Sequence, residues 1–178
     1  MSENKKYPIS NIQYPIYLIG MMGVWKSTVG KLLAEQLNVG FIDTDRKIEE
    51  NMSMNIGQIF QHLGEKRFRE EENKVLLSTG KFNGIVSTGG GIVVTEDNRF
   101  FLSKQTTILL QARPNTLSKR IHNLKTRPLL QNSTDLINSL TEIWVEREVF
   151  FKTTAQYILE TDDLNPDEIV NLIIEKLK

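Results

Sequence analysis

The 178-residue chain contains no cysteine. That absence removes disulfides, thiolate metal sites and thiol nucleophiles together, excludes thiol redox chemistry, and suits a reducing compartment. Histidine is nearly absent as well: His62 and His122 have no ligand partners at metal spacing and read as structural or surface residues. There is no excess of charge, since 22 Lys and Arg balance 22 Asp and Glu. Nothing therefore draws the whole chain to nucleic acid or to an anionic membrane, and any basic site must be local. Long apolar runs are missing too. None approaches the ~20 residues that span a bilayer, and the start from Met1 to Lys6 has no apolar signal core. The length fits a single domain over 1–178 with a full core, residues 1–12 being expected as a loose tail. Neither repeats nor low-complexity blocks interrupt it.

What is present is an alternation. Short runs at Ile16 to Ile19, Phe41-Ile42, Ile85-Val86, Thr107 to Leu110 and Tyr157 to Leu159 read as strands. Between and after them, helical patterns run over 27–37, 45–52, 56–63, 66–77, 97–103, 114–124, 135–151 and 166–177. That rhythm predicts an α/β fold with a parallel sheet. The last helix is the best delimited, with Asn165 as cap, Pro166 at its first position, Glu168 three after the cap, and Ile169, Leu172, Ile173 and Leu177 on one face.

In such a sheet the ligand lies beyond the carboxyl ends of the strands, so the residues just after each strand are the candidates. After the first comes Gly20-Met21-Met22-Gly23-Val24-Trp25-Lys26-Ser27, followed by Thr28 at the head of a helix. In the pattern G-x-x-x-x-G-K-[ST], backbone N–H groups cradle phosphates, the lysine reaches the β- and γ-phosphates and the hydroxyl binds Mg²⁺. Gly20, Lys26 and Ser27 fit; Trp25 stands where the second glycine belongs. A side chain in the left-handed conformation usual there costs on the order of 1–3 kcal/mol. The indole is expected to crowd the phosphates and depress MgATP binding, so that Trp25→Gly would raise ATP affinity by about tenfold or more.

After the second strand, Asp43-Thr44-Asp45 offers carboxylates for a metal shell, a hydroxyl acceptor or a proton, although Thr44 or Asp45 could equally cap the next helix. After the third, Gly89-Gly90-Gly91 permits positive φ and close backbone approach, or is a flexible turn. Arg69 and Arg147 lie in charged helical stretches where solvated i,i+3 pairing, such as Arg69 with Glu72, is sufficient explanation, as it is for Arg67 and Glu70. Trp144, Phe150 and Phe151 read as core. The polar segment 122–134, broken at Arg127-Pro128, joins two helices by more than a tight turn and reads as a mobile lid.

Taken in order, the phosphate loop, Asp43-Thr44-Asp45, Phe68-Arg69-x-x-Glu72, Gly89 to Gly91, Arg127-Pro128-Leu129-Leu130 and Arg147 resemble shikimate kinase over nearly the whole chain after Tyr14. The resemblance implies a three-layer α/β/α P-loop kinase with a five-stranded parallel sheet and a lid, phosphorylating the 3-hydroxyl of shikimate from MgATP on the route to chorismate and the aromatic amino acids. It also implies a cytoplasmic protein acting as a monomer, with shikimate and ATP as its partners and neither nucleic acid nor membrane. By the same resemblance, residues 20–28 would bind the nucleotide, with Lys26 holding phosphates, and Ser27 and Asp43 would serve Mg²⁺. Arg120, Asn165 and Pro166 would meet the adenine. Asp45 would bind substrate hydroxyls, Arg69 and Arg147 the carboxylate, and Gly89, Gly90 and Gly91 substrate or phosphate. Arg127 would swing in with the lid. The stretch from Arg147 to Phe151 lacks the proline and tyrosine of the family's Arg-x-Pro-x-Tyr. A kinase-shaped shikimate-binding protein with little catalysis, and a related small-molecule kinase such as gluconate kinase, are the alternatives.

Overall fold

The computed structural model describes residues 13–121, 130 and 134–178. The expected tail, His122, Arg127 and most of the expected lid lie outside the described residues. Strands β1 (Ile16–Ile19), β2 (Gly40–Asp43), β3 (Gly84–Ser87), β4 (Thr106–Gln111) and β5 (Tyr157–Glu160) form one five-stranded sheet in the order β2-β3-β1-β4-β5. Every pairing is parallel, with Ile16 opposite Ile85 on one side and Thr106 on the other. Each strand lies where the short apolar runs predict it, extended at most by a residue at either end.

The helices are α1 (Lys26–Leu37), α2 (Thr44–Met52), α3 (Ile56–Ser78), α4 (Glu96–Leu102), α5 (Pro114–Arg120), α6 (Leu136–Thr154) and α7 (Pro166–Lys176). The step from β1 to β2 runs one way across the sheet and the later steps run the other way. Right-handed crossovers therefore put α1 on one face and α3 to α6 on the opposite one. The contacts agree: α1 meets α7, while α4 meets both α3 and α6. The direction of winding reverses at β1, so the crevice at its carboxyl end, between the ends of β3 and β4, is the switch point where ligands bind in such sheets. β1 is buried completely from Ile16 to Ile19, and its main cluster includes Val29, Leu33, Ile85, Leu109, Phe151 and Ile173. Trp144 stacks on Phe151 at 6.0 Å between ring centroids. A second cluster of Ile48, Ile59, Phe68 and Val75 joins α2 to α3, each such side chain contributing about 1.5–3 kcal/mol.

The two helices predicted over 56–63 and 66–77 meet within α3 at a kink, Gly64, whose φ of 79° and ψ of 166° are non-helical and suit a residue without Cβ. Other expectations need correction. Helix α5 stops at Arg120 because Ile121 takes an extended backbone, and α6 runs on to Thr154. Phe150 is not core; it is 37% exposed beneath the guanidinium of Arg99. The α2 cap is neither Thr44 nor Asp45. Asp43 performs that role, its side chain accepting from the backbone N–H groups of Asp45 and Arg46. Among the described residues no helix is long and apolar enough to cross a membrane.

Candidate active site

The loop after β1 begins at Gly20 and ends at Trp25, the residue before α1. Met21, Met22 and Val24 are buried and pack into the main core cluster, which anchors the loop. Trp25 has φ 68° and ψ 23°, the left-handed conformation expected of this position, and its carbonyl accepts the first helical bond from Val29. The Lys26 ammonium is nearly buried and donates to the carbonyls of Gly20 at 2.8 Å and Met21 at 3.0 Å, so it lies across the mouth of the loop. Ser27 and Thr28 are exposed in the first turn of α1.

The Ser27 hydroxyl donates to Asp43 Oδ2 at 2.5 Å and lies 3.3 Å from the Ser87 hydroxyl. The other oxygen of Asp43 caps α2, accepting from Asp45 at 3.1 Å and Arg46 at 3.3 Å. A hydroxyl and a carboxylate at hydrogen-bond distance beside a phosphate loop form an oxygen donor set that fits Mg²⁺, which takes few protein ligands and completes its shell with water and substrate phosphates. The described residues hold no cluster of three or more His, Cys, Asp or Glu that could bind a metal.

The glycine triplet works by proximity. None of Gly89, Gly90 and Gly91 lies at positive φ, contrary to the sequence-based expectation. Instead, a Cβ on Gly89 would stand 2.6 Å from Asp45 Oδ1, and one on Gly91 2.7 Å from the Arg69 guanidinium. Gly90 comes close to the phosphate loop at Met22. Thr88 holds the strand end by donating to Leu18, and the Gly89 N–H donates to the buried Thr44 hydroxyl. The triplet is thus the seam between phosphate loop, Asp45 and Arg69.

The arginines differ sharply from a solvated surface. Arg69 donates to Glu72 at 2.8 Å, to the Gly91 carbonyl at 3.2 Å and to Glu65 at 3.0 Å. Glu72 is completely buried, and burial lifts its carboxyl above the ordinary glutamate range although Arg69 opposes the rise. Arg147 is buried at 5% exposure, and its Nε and Nη1 have no hydrogen-bond partner among the described residues. Burial lowers its pKa, with the Arg69 charge acting in the same direction against Glu146, Glu65 and Glu72. A buried guanidinium with open donors is unfavourable unless something anionic meets it, and a planar carboxylate is the partner whose geometry fits. Sequence reasoning gave Glu72 no role beyond pairing with Arg69. The signal was available, since Phe68, Glu72, Val75 and Leu76 share the spacing of one helical stripe. Arg67 and Glu70 do form the expected exposed i,i+3 pair, and His62 is exposed.

On the other side of the loop lies a cavity of about 650 Å³, bordered by Trp25, Arg113, Thr116, Arg120, Asp162 and Asn165 among others. Arg120 is fixed by bonds to the Thr161 carbonyl at 2.5 Å, the Asp162 carbonyl at 3.2 Å and the Thr161 hydroxyl at 3.2 Å. Its guanidinium lies 3.7 Å from the centre of the Trp25 ring. The indole thus makes a contact at the border of this cavity. Asp162 holds the far wall: burial would raise its carboxyl, but bonds from the Thr116 hydroxyl and from Arg113 keep it below the usual aspartate range. Asn165 caps α7 at the rim, whereas Pro166 is not among the lining residues.

A parallel sheet with a phosphate loop at its switch point, a hydroxyl and carboxylate beside it, a nucleoside-sized cavity on one flank and the paired arginines Arg69 and Arg147 on the other fit a P-loop kinase of a small anionic substrate. The family model for shikimate kinase matches residues 22–178. A shikimate kinase of Caldicellulosiruptor saccharolyticus is 38% identical over 161 residues, covering 89% of this chain and 92% of the relative. Shikimate kinase from Acinetobacter baumannii, solved in complex with shikimate, superposes with a TM-score of 0.86 at 32% identity, covering 90% of each chain. The shikimate kinase structure from Bacteroides thetaiotaomicron gives 0.83 at 36% identity, covering 91% of this chain and 97% of that one. The chain belongs to the shikimate kinase family.

Proposed function

We propose that the protein transfers the γ-phosphoryl group of ATP to the 3-hydroxyl of shikimate, a step toward chorismate. Arg69 and Arg147 grip the substrate carboxylate, and Asp45, beside Gly89, orients its ring hydroxyls toward the phosphate loop. Lys26 and the loop N–H groups hold the phosphates in line. Ser27 and Asp43 hold Mg²⁺, which when bound neutralises charge shared between the β- and γ-phosphates. The hydroxyl oxygen bonds to the γ-phosphorus as the bridge to the β-phosphate breaks, and the hydroxyl proton passes to a carboxylate oxygen of Asp43. Arg127, by family resemblance, adds positive charge from the lid. By family resemblance we place the reaction in the cytoplasm, and we take the chain to act as a monomer because every group used belongs to this one chain.

The observation that carries the reading is Arg147, buried beside Arg69 with donors open. A coupled assay of ADP release tests it, run with shikimate, without it, and with its methyl ester. Shikimate should drive turnover, and the ester, having lost the anionic carboxylate, should react with kcat/KM lower by about a hundredfold. Calorimetric binding of shikimate with no ADP release would make the protein a binding module instead. Turnover of gluconate in place of shikimate would move it to a neighbouring kinase class.

A further inference from the structure

We propose that Trp25 is a nucleoside-contacting residue, its indole serving with Arg120 as an aromatic wall against which the nucleotide base stacks. The inference rests on the reading of the loop as an ATP site. A nucleotide whose phosphates lie on the N–H groups of residues 20–27 must extend its nucleoside to one flank. The neighbouring concavity is the cavity bordered by Trp25, Arg120 and Asn165. Its other chemistry suits a base: Arg120 already gives its donors to Thr161, Asp162 and Leu164, so what it offers a ligand is a flat cationic face rather than hydrogen bonds. The Trp25 ring lies over that guanidinium at 3.7 Å and is half-buried, so the ring keeps surface toward the cavity. Stacked cation and indole form a platform tolerant of any planar base.

The left-handed backbone of Trp25 belongs to the folded loop, because α1 begins at Lys26 by way of that conformation. Its cost therefore falls on the stability of the fold, and the effect of Trp25 on affinity comes from what the indole touches. Phenylalanine and leucine at position 25 bear the same backbone cost, so a difference between them reports the ring alone.

Calorimetry of the Mg²⁺-loaded full chain with ADP and with inorganic tripolyphosphate tests the proposal. Trp25→Leu should weaken ADP by about tenfold, equivalent to about 1.4 kcal/mol, while Trp25→Phe stays within about threefold and tripolyphosphate is unchanged in both. A second readout uses Trp144→Phe, which leaves Trp25 the sole tryptophan. Its emission should change on adding ADP and not on adding tripolyphosphate. Equal effects of leucine and phenylalanine, parallel loss of tripolyphosphate affinity, or a rise in ADP affinity in Trp25→Gly would overturn the proposal in favour of an indole that acts on the phosphates. Wild-type protein that binds neither ligand overturns the kinase reading together with this one. An intact contrast between leucine and phenylalanine in a protein that never phosphorylates shikimate overturns the kinase reading alone.

Discussion

Arg147 and Arg120 are the same residue type on opposite flanks of one phosphate loop, and they are held in opposite ways. Arg120 is tied to Thr161, Asp162 and Leu164 of the loop that follows β5, and one of its faces is covered by Trp25. Arg147 is buried more deeply, yet its Nε and Nη1 meet no acceptor among the described residues. Burial lowers the pKa of both; Asp162 opposes the fall at Arg120, while at Arg147 nearby glutamates oppose it and Arg69 adds to it. Of these two, Arg120, its donors taken up by its own chain, can offer a ligand only a flat face, a wall that selects for shape, whereas Arg147 keeps donors open and can act as a grip that selects for charge and geometry. Under the proposed function the nucleoside side rests on the first and the carboxylate side on the second, with Arg69 beside it.

Three changes break or sharpen that contrast, and the largest effect comes from the seam between the two regions. Asp43→Asn should lower kcat by about a hundredfold or more with little change in either KM, because it disturbs charge where the phosphoryl group moves. Asp45→Asn should raise the shikimate KM instead, and identical kinetic profiles for the two would refute the division of roles. On the grip side, Arg69→Lys keeps the charge but loses the fork that spans Glu72, Glu65 and Gly91. The shikimate KM should rise about tenfold and that for ATP by less than about threefold, measured by steady-state kinetics. An equal rise in both would mean that Arg69 acts on the whole cleft.

The smallest effect belongs to the wall. Asp162 has a carboxyl held below the ordinary aspartate value of about 3.9, so its contribution is present above that pH and is lost as pH falls through the folded value. Denaturant midpoints taken across the acid limb should show a shallower fall in Asp162→Asn than in the wild type. An unchanged slope would remove Asp162 as the anchor of Arg113 and Thr116.

Much of this was legible in the chain. Short apolar runs located all five strands, and Asp43, Lys26 and Ser27 could be placed from the rule that ligands gather beyond strand ends. What escaped depended on tertiary proximity. Glu72 sits among charged neighbours in sequence, and only the burial of its helical stripe turns it into the inner partner of Arg69. The glycine triplet was legible as special but for the wrong reason, since crowding by Asp45 and Arg69, not backbone sign, excludes a side chain there. Trp25 was legible as a departure and its backbone conformation followed, but the direction of its ring could not, because Arg120 lies 95 residues further along the chain.

The contrast between wall and grip is tested most directly by Arg147→Met, examined in one sample by shikimate calorimetry and by thermal unfolding without ligand. A methionine fills much of the same space without a buried, unpartnered cation. Shikimate affinity should therefore fall by about a hundredfold or more while Tm rises by about 2–4 °C. Shikimate bound as tightly as before, together with a lower Tm, would contradict the account, because Arg147 would then be a structural residue whose open donors mark no ligand.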